Sequence, residues 1–316
     1  GAKVMDVAIH ANAFCLIGPK LQRGYVLSAE TPQQKTAWVE AVNSQLTAAN
    51  ANHQGSDDDD DNSTQNVLFS KGHDASFQIN MSDFELMTVL GLGSFGRVMK
   101  VKEKRTGAIL AMKVLDKAQI VANKMVTHTQ AEKSILADID HPFIVNIHHA
   151  FQTKKHLVLV LDFLCGGELF FHLQRNKRFS ENRARFYSAE IGCALEYIHA
   201  KSIIYRDLKP ENLVLDRYGH VTLTDFGLAK KDVKDITHTF CGTPEYMAPE
   251  LVQKKGHTVS VDWWSLGVFL YEMVAGLPPF YTQNISEMYD LILNKPLQFP
   301  SFFSPELRNL LSRLLD

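Results

Sequence analysis

Tyr205-Arg206-Asp207-Leu208-Lys209-Pro210-Glu211-Asn212 decides how this chain is read. One short loop brings together three different chemistries. Asp207 can take the proton of an attacking hydroxyl, and Lys209 can neutralise charge on a phosphoryl group in transfer. Asn212 offers an amide oxygen to a hard metal ion. Downstream, Asp225-Phe226-Gly227 supplies a carboxylate suited to chelate Mg²⁺ across adjacent phosphates, and Ala248-Pro249-Glu250 closes the loop that opens at Asp225.

Two upstream motifs complete the set. Gly91-Leu92-Gly93-Ser94-Phe95-Gly96-Arg97-Val98 is a glycine-rich loop, in which backbone amides can approach phosphate oxygens without Cβ obstruction. A lone GxGxxG is a weak signal, since dinucleotide-binding folds share it, but there a helix follows. Here Val98-Met99-Lys100-Val101 alternates as a second strand, which predicts a hairpin. Ala111-Met112-Lys113-Val114 reads as the next strand, and Glu132 follows in a helical stretch. An ammonium on a rigid strand can hold phosphates when a carboxylate orients it. A lone Lys–Glu pair is usually a surface coincidence; this one gains weight from its neighbours.

The 316 residues allow one large domain and a smaller one. With 45% hydrophobic and 22% charged residues the composition is that of a soluble globular protein, and a net charge of −2 gives no footprint for nucleic acid. The cysteines at 15, 165, 193 and 241 lack CxxC spacing and read as reduced thiols, and no apolar run is long enough to span a bilayer. The opening Gly1-Ala2-Lys3 lacks an initiator Met and an apolar leader, which reads as a processed or engineered fragment. Composition then divides the chain. Residues 51–81, with Asp57-Asp58-Asp59-Asp60-Asp61, read as an acidic flexible linker; docking on a basic surface is the alternative. Before it, residues 11–17 and 24–29 read as strands, and Thr31-Pro32 opens a helix with Ala37, Trp38, Ala41, Val42 and Leu46 on one face.

The ordered motifs of residues 82–316 resemble a eukaryotic protein kinase domain. Tyr205, with Thr239-Phe240-Cys241-Gly242-Thr243-Pro244-Glu245-Tyr246, is similar to the AGC group, and Lys209 to its serine/threonine type. Residues 1–50 resemble the C-terminal part of a pleckstrin-homology domain, an order similar to the Akt (protein kinase B) family. The resemblance implies an α+β, two-lobed kinase fold: a small lobe of five strands and one main helix, and a large, mostly helical lobe. It implies ATP and Mg²⁺, with Leu90, Val98, Ala111 and Val214 around adenine, Leu161 as gatekeeper and Glu168 at the ribose. Gly91, Gly93, Ser94, Phe95, Gly96 and Lys113 would hold phosphates, and Asn212 and Asp225 the metal. Asp207, Lys209, Lys113 and Glu132 would be the catalytic set. Leu136, Ile147, Tyr205 and Phe226 match an apolar spine, for which plain core packing is an equally good description.

Thr239 matches the activation-loop phosphorylation site, with Thr237 as the alternative acceptor. His128, Arg206 and Lys230 match the residues that receive its phosphate; each would otherwise be a solvated charge. Glu168, Glu211 and Glu272 match positions that select basic residues N-terminal to the acceptor, and Phe240, Pro244 and Met247 an apolar pocket just after it. The implied partners are protein substrates, an upstream activating kinase and a phosphoinositide membrane. The membrane would be reached only through pleckstrin-homology strands that are not in this sequence. The expected location is cytoplasmic, with recruitment of a full-length protein to the plasma membrane. Two departures stand out. Ala229 replaces a Cys that could pair with Cys241, which disfavours a redox loop. The chain stops at Leu314-Leu315-Asp316, before an Arg expected to pair with Glu250 and before the tail, so it is expected to be a poor and fragile kinase. The rival reading, a non-catalytic scaffold, predicts erosion at Lys113, Asp207 or Asp225, and none is eroded.

Overall fold

A computed structural model of the chain describes residues 3–6, 13–17, 25–28, 31–33, 36–37, 40, 66–70, 79–93, 95–231 and 236–316. The chain divides into two compact units, Gly1–Met125 with Ile147–Phe163, and Val126–Asn146 with Leu164–Asp316.

The first unit holds an antiparallel sheet in the order β4-β8-β9-β7-β6-β5. Its strands are β4 (Asn66–Ser70), β5 (Phe84–Gly93), β6 (Gly96–Glu103), β7 (Ile109–Asp116), β8 (Ile147–Gln152) and β9 (His156–Asp162). Alternation sorts the two faces. Met99, Val101, Leu110, Met112, Val114, Val158 and Val160 fall on one face and pack with Ile79, Phe84 and Phe151 into a core. The Phe84 and Phe151 rings stack at 6.2 Å. As the alternation after Val98 predicts, β5 and β6 form a hairpin closing at Gly93 and Gly96.

The sheet has six strands rather than five. The extra one, β4, comes from the stretch read as a flexible linker, and Ile79 from the same stretch is 1% exposed in the core. The linker reading fails at these residues because β8 offers an edge of unpaired backbone groups that a neighbouring strand can satisfy. Side chains secure the pairing: Ser70 Oγ lies 2.9 Å from His149 Nδ1, and His149 Nε2 lies 3.4 Å from Glu103 Oε1. His149 and Glu103 are both buried, and the Thr106 hydroxyl also donates to Glu103, so this interior carboxylate is well supplied with donors. The acidic run 57–61 lies outside the described residues.

At the front, β1 (Lys3–Asp6), β2 (Ala13–Ile17) and β3 (Tyr25–Ser28) form an antiparallel sheet in that order. The first of these strands was not foreseen. Residues 32–33, 36–37 and 40 are helical, as Thr31-Pro32 predicts. The expected apolar face of that helix, with Trp38, Val42 and Leu46, lies outside the described residues.

In the second unit the helix Ser260–Ala275 is buried on nearly every side, through Trp264, Leu266, Val268, Phe269, Leu270 and Met273 among others. The helix Glu181–Ala200 is capped by Ser180 and buries Ala184, Tyr187, Ile191, Ala194, Leu195 and Ile198, a helical stripe. A small antiparallel sheet runs in the order β10 (Gly167–Glu168), β11 (Leu213–Leu215) and β12 (Val221–Leu223). The helix Val126–Asp138 bears Glu132 and groups with this unit rather than with the sheet of the first, contrary to the expected lobe assignment. The reason lies in the segment after it. Val145 N–H donates to Leu223 O and Leu223 N–H to Phe143 O, each at 2.9 Å, and Asp140 N–H donates to the Tyr197 hydroxyl at 3.2 Å. Among the described residues no helix is long and apolar enough to cross a membrane.

Candidate active site

The loop around Asp207 is held from below by one buried carboxylate. Asp262, on the helix Ser260–Ala275, is 0% exposed. Its Oδ2 accepts the Tyr205 N–H at 2.9 Å and lies 2.7 Å from His199 Nε2, and its Oδ1 accepts the Arg206 N–H at 2.7 Å. Arg206 adopts φ +69°, a strained conformation for a residue with a side chain, and Asp262 bonds its amide. Next to it, the Tyr205 ring meets Phe226 edge to face at 5.1 Å, with both side chains fully buried.

Asp207 itself is ringed by donors. Oδ2 is 2.8 Å from Lys209 Nζ and accepts from Asn212 Nδ2 at 2.9 Å; Oδ1 accepts the Thr243 hydroxyl at 2.9 Å. Lys209 also donates to Thr243 Oγ1 at 3.1 Å. Asn212 commits its amide nitrogen to Asp207, which leaves its carbonyl oxygen as the acceptor. Thr224 donates to the Asn212 backbone carbonyl through its N–H at 2.9 Å and its hydroxyl at 3.0 Å, which ties the residue before Asp225 to Asn212. Asp225 is exposed at φ +44°, with Oδ1 accepting the Gly227 N–H at 3.2 Å. The Asn212 amide oxygen and the Asp225 carboxylate are hard oxygen donors, a chemistry that suits Mg²⁺. That ion keeps several waters and shares phosphate oxygens rather than sitting in an all-protein cage.

In the first unit, Val98 pairs with Lys113 and Ala111 with Leu161, so all four stand on the sheet face opposite the core. Ala111 is buried, while Leu90, Val98, Lys113 and Leu161 are half-buried. Gly91 and Gly93 lie on β5, Gly96 starts β6, and Phe95 between them accepts the Asp116 N–H at 2.9 Å. Ser94 lies outside the described residues. Leu136 and Glu132 are buried on the helix Val126–Asp138, and Ile147 is buried in the first unit. In the second unit Val214 of β11 pairs with Glu168 of β10.

A group of carboxylates also gathers in the second unit. Burial pushes the Glu272 carboxyl up to about 7, helped by the charges of Glu211 and Glu245 and opposed by the hydroxyl of Tyr246, which donates to it. Glu168 is raised by partial desolvation and then by Glu211. Phe240 is exposed, with the Lys254 ammonium 5.8 Å from its ring centre, whereas Met247 is buried and Pro244 opens a short 3₁₀ turn. Thr239 is exposed; Thr237 is buried and accepts from Lys230 Nζ at 2.7 Å. His128 is half-buried and Arg206 buried. Ala229 is buried and Cys241 is a free thiol, raised chiefly by burial.

Motif reading missed Asp262 and Thr243. Asp262 had a visible signal, one acid at the head of a long apolar helix, where an unpaired charge would be costly. Thr243 had none, because its role rests on a contact 36 positions away.

Residues 84–316 match the protein kinase domain family. Protein kinase 2 of Dictyostelium discoideum is 57% identical over 252 residues, which is 79% of this chain and 52% of that protein. A RAC family serine/threonine-protein kinase homolog of the same organism is 46% identical over 299 residues, 93% of this chain and 63% of its own length. Serine/threonine-protein kinase Sgk3 of Mus musculus is 49% identical over 274 residues, 83% of this chain and 54% of its own. The chain thus spans about half to under two thirds of the length of these relatives. With the motifs, the loop geometry and these likenesses together, the chain belongs to the protein kinase domain family and is of the AGC type.

Proposed function

We propose that the protein transfers the γ-phosphoryl group of ATP to serine or threonine hydroxyls of protein substrates. The observation that carries this reading is Asp207, held on a strained and anchored loop with Lys209, Asn212 and Thr243 around its carboxylate. In the reaction the substrate oxygen attacks the γ-phosphorus, its proton passes to Asp207, and ADP leaves. Lys209 faces charge on the phosphoryl group while Thr243 fixes the carboxylate orientation. Leu90, Val98, Ala111 and Leu161 of the first unit would hold the nucleoside, and Lys113 its phosphates. Asn212 and Asp225 would hold Mg²⁺, which when bound neutralises phosphate charge. Catalysis is then positioning and charge stabilisation.

Substrates should carry arginine upstream of the acceptor, since Glu168, Glu211 and Glu272 offer carboxylates that a guanidinium can bond in bidentate fashion. Phe240, Pro244 and Met247 would contact the residue just after it. Phosphorylation of Thr239 by an upstream kinase would switch the enzyme on. The front segment, 1–50, is read as part of a pleckstrin-homology domain of an Akt-like protein. The match to the RAC family homolog supports this, because it extends beyond the kinase domain. Such a protein would be cytoplasmic and recruited to a phosphoinositide membrane.

The test is transfer from labelled ATP to serine peptides with arginine or alanine upstream, followed by phosphoamino-acid analysis. Phosphotyrosine alone, or equal use of acidic peptides, would sink the reading. Glu272 adds a pH signature. Its carboxyl is neutral below about 7 and charged above. The kcat/KM advantage of arginine over alanine should therefore grow several-fold from pH 6 to pH 8, up to about tenfold if Glu272 dominates. Glu272→Gln should flatten that rise. An advantage that is independent of pH in the unaltered enzyme would exclude Glu272 from arginine recognition.

A further inference from the structure

Two buried nitrogens of the second unit lack a hydrogen-bond partner among the described residues and lie near the activation loop: Arg206 Nη1 and His257 Nε2. His257 is 2% exposed. A buried polar atom left unpaired is costly, and a fold that keeps one calls for an explanation such as strain or a bound ion or ligand. The surroundings indicate an anion. Thr237 and His257 exchange both backbone bonds, Thr237 N–H to His257 O at 3.1 Å and His257 N–H to Thr237 O at 2.9 Å. This close apposition needs Gly256: a Cβ there would meet Ile236 Cγ2 at 1.8 Å. Lys230 reaches into the same place, with Nζ 2.7 Å from Thr237 Oγ1, and Arg206 Nε donates to Leu228 O at 2.7 Å.

We propose that His257 is a receptor for the phosphate carried by Thr239, acting with Arg206 and Lys230 and becoming cationic when that phosphate arrives. The inference rests on the reading of Thr239 as the phosphorylated residue. Thr239 is exposed and lies two positions beyond Thr237, within about 7 Å of chain from the bridge. Four charged groups from neighbouring segments act on His257. Arg206 and Lys230 hold its pKa down, after burial as the leading cause; Glu250 and Asp262 oppose them. Both carboxylates are otherwise engaged, Glu250 by the Ser260 hydroxyl at 3.0 Å and Asp262 by the loop amides and His199. Without phosphate the imidazole is therefore held neutral. A phosphate adds roughly −1.5 to −2 charge and reverses the local balance. The sign follows: the raised midpoint means His257 grips the phosphate below it and loosens as pH rises through it.

The test is histidine NMR of the whole chain, before and after phosphorylation of Thr239, with the modification verified by mass spectrometry. The His257 signal is assigned through His257→Gln, or through His257→Tyr if the first variant does not fold. Its titration midpoint should rise by at least about one unit on phosphorylation, a tenfold change in proton affinity. The phosphorus signal of phosphothreonine should titrate lower in the unaltered chain than in the variant. An unmoved His257 midpoint overturns the inference whether or not activity rises. Activity decides separately whether Thr239 is a switch, since a modified enzyme no faster than the unmodified one would sink that reading alone.

Discussion

Asp207→Asn should lower phosphoryl transfer by about 10²–10⁴-fold while leaving nucleotide affinity within about twofold. Asp207 sits at 9% exposure with Lys209, Asn212 and Thr243 around its carboxylate. The amide has the same shape but cannot take a proton. It can turn its carbonyl toward Lys209 and Asn212 and its NH₂ toward the Thr243 oxygen, so the pocket survives. Kinase domains turn over at about 1–100 per second, which makes such a loss easy to measure by single-turnover kinetics. Calorimetry with ATP and Mg²⁺ gives the affinity. A variant within tenfold of the parent rate, with contamination excluded, would remove Asp207 from the chemistry.

Asp262→Ala is expected to cost both stability and rate, although Asp262 touches no reacting atom. It leaves the buried Tyr205 and Arg206 amides without acceptors and strips His199 of its partner. At about 1–3 kcal/mol for each orphaned amide the loss is roughly 2–6 kcal/mol. For a unit of this size that means a fall in Tm on the order of 10 °C. Arg206 would no longer be kept at φ +69°, and the adjacent Asp207 would wander. A displacement near 1 Å is enough for about a 10²-fold loss of rate. Asp262→Asn should do less harm, because one oxygen remains to accept. Thermal unfolding and kcat check both variants; an alanine variant within about 3 °C and threefold of the parent would refute the anchoring role.

The catalytic motifs were legible because their chemistry is local. A proton acceptor at 207, a cation at 209 and an oxygen donor at 212 must sit within one loop, and few other residue types can do their work. The hairpin at Gly91–Val98 was legible for a similar reason, since alternation after a glycine-rich turn leaves no room for a helix. The strand Asn66–Ser70 was not, because its polar and acidic surroundings read as solvated chain. Only the open edge of β8 and the Ser70–His149–Glu103 contacts give it a place.

Residue type and short spacing therefore determined, from sequence alone, the kinase fold and the choice of Asp207, Lys209, Asn212, Asp225 and Lys113 as the residues proposed to carry the chemistry. Tertiary structure decided the rest: that Asp262, 57 positions from Tyr205, holds the loop; that Thr243 orients Asp207; and that the helix bearing Glu132 is tied through Val145 and Leu223 to the second unit. It also decided that Glu272 titrates near 7 and that His257 lies against the activation loop beside Arg206 and Lys230. The physical reason is range. Covalent connection sets chemistry over a few residues, whereas burial, hydrogen bonding and the electrostatic field depend on which distant segments the packed core brings within a few ångströms.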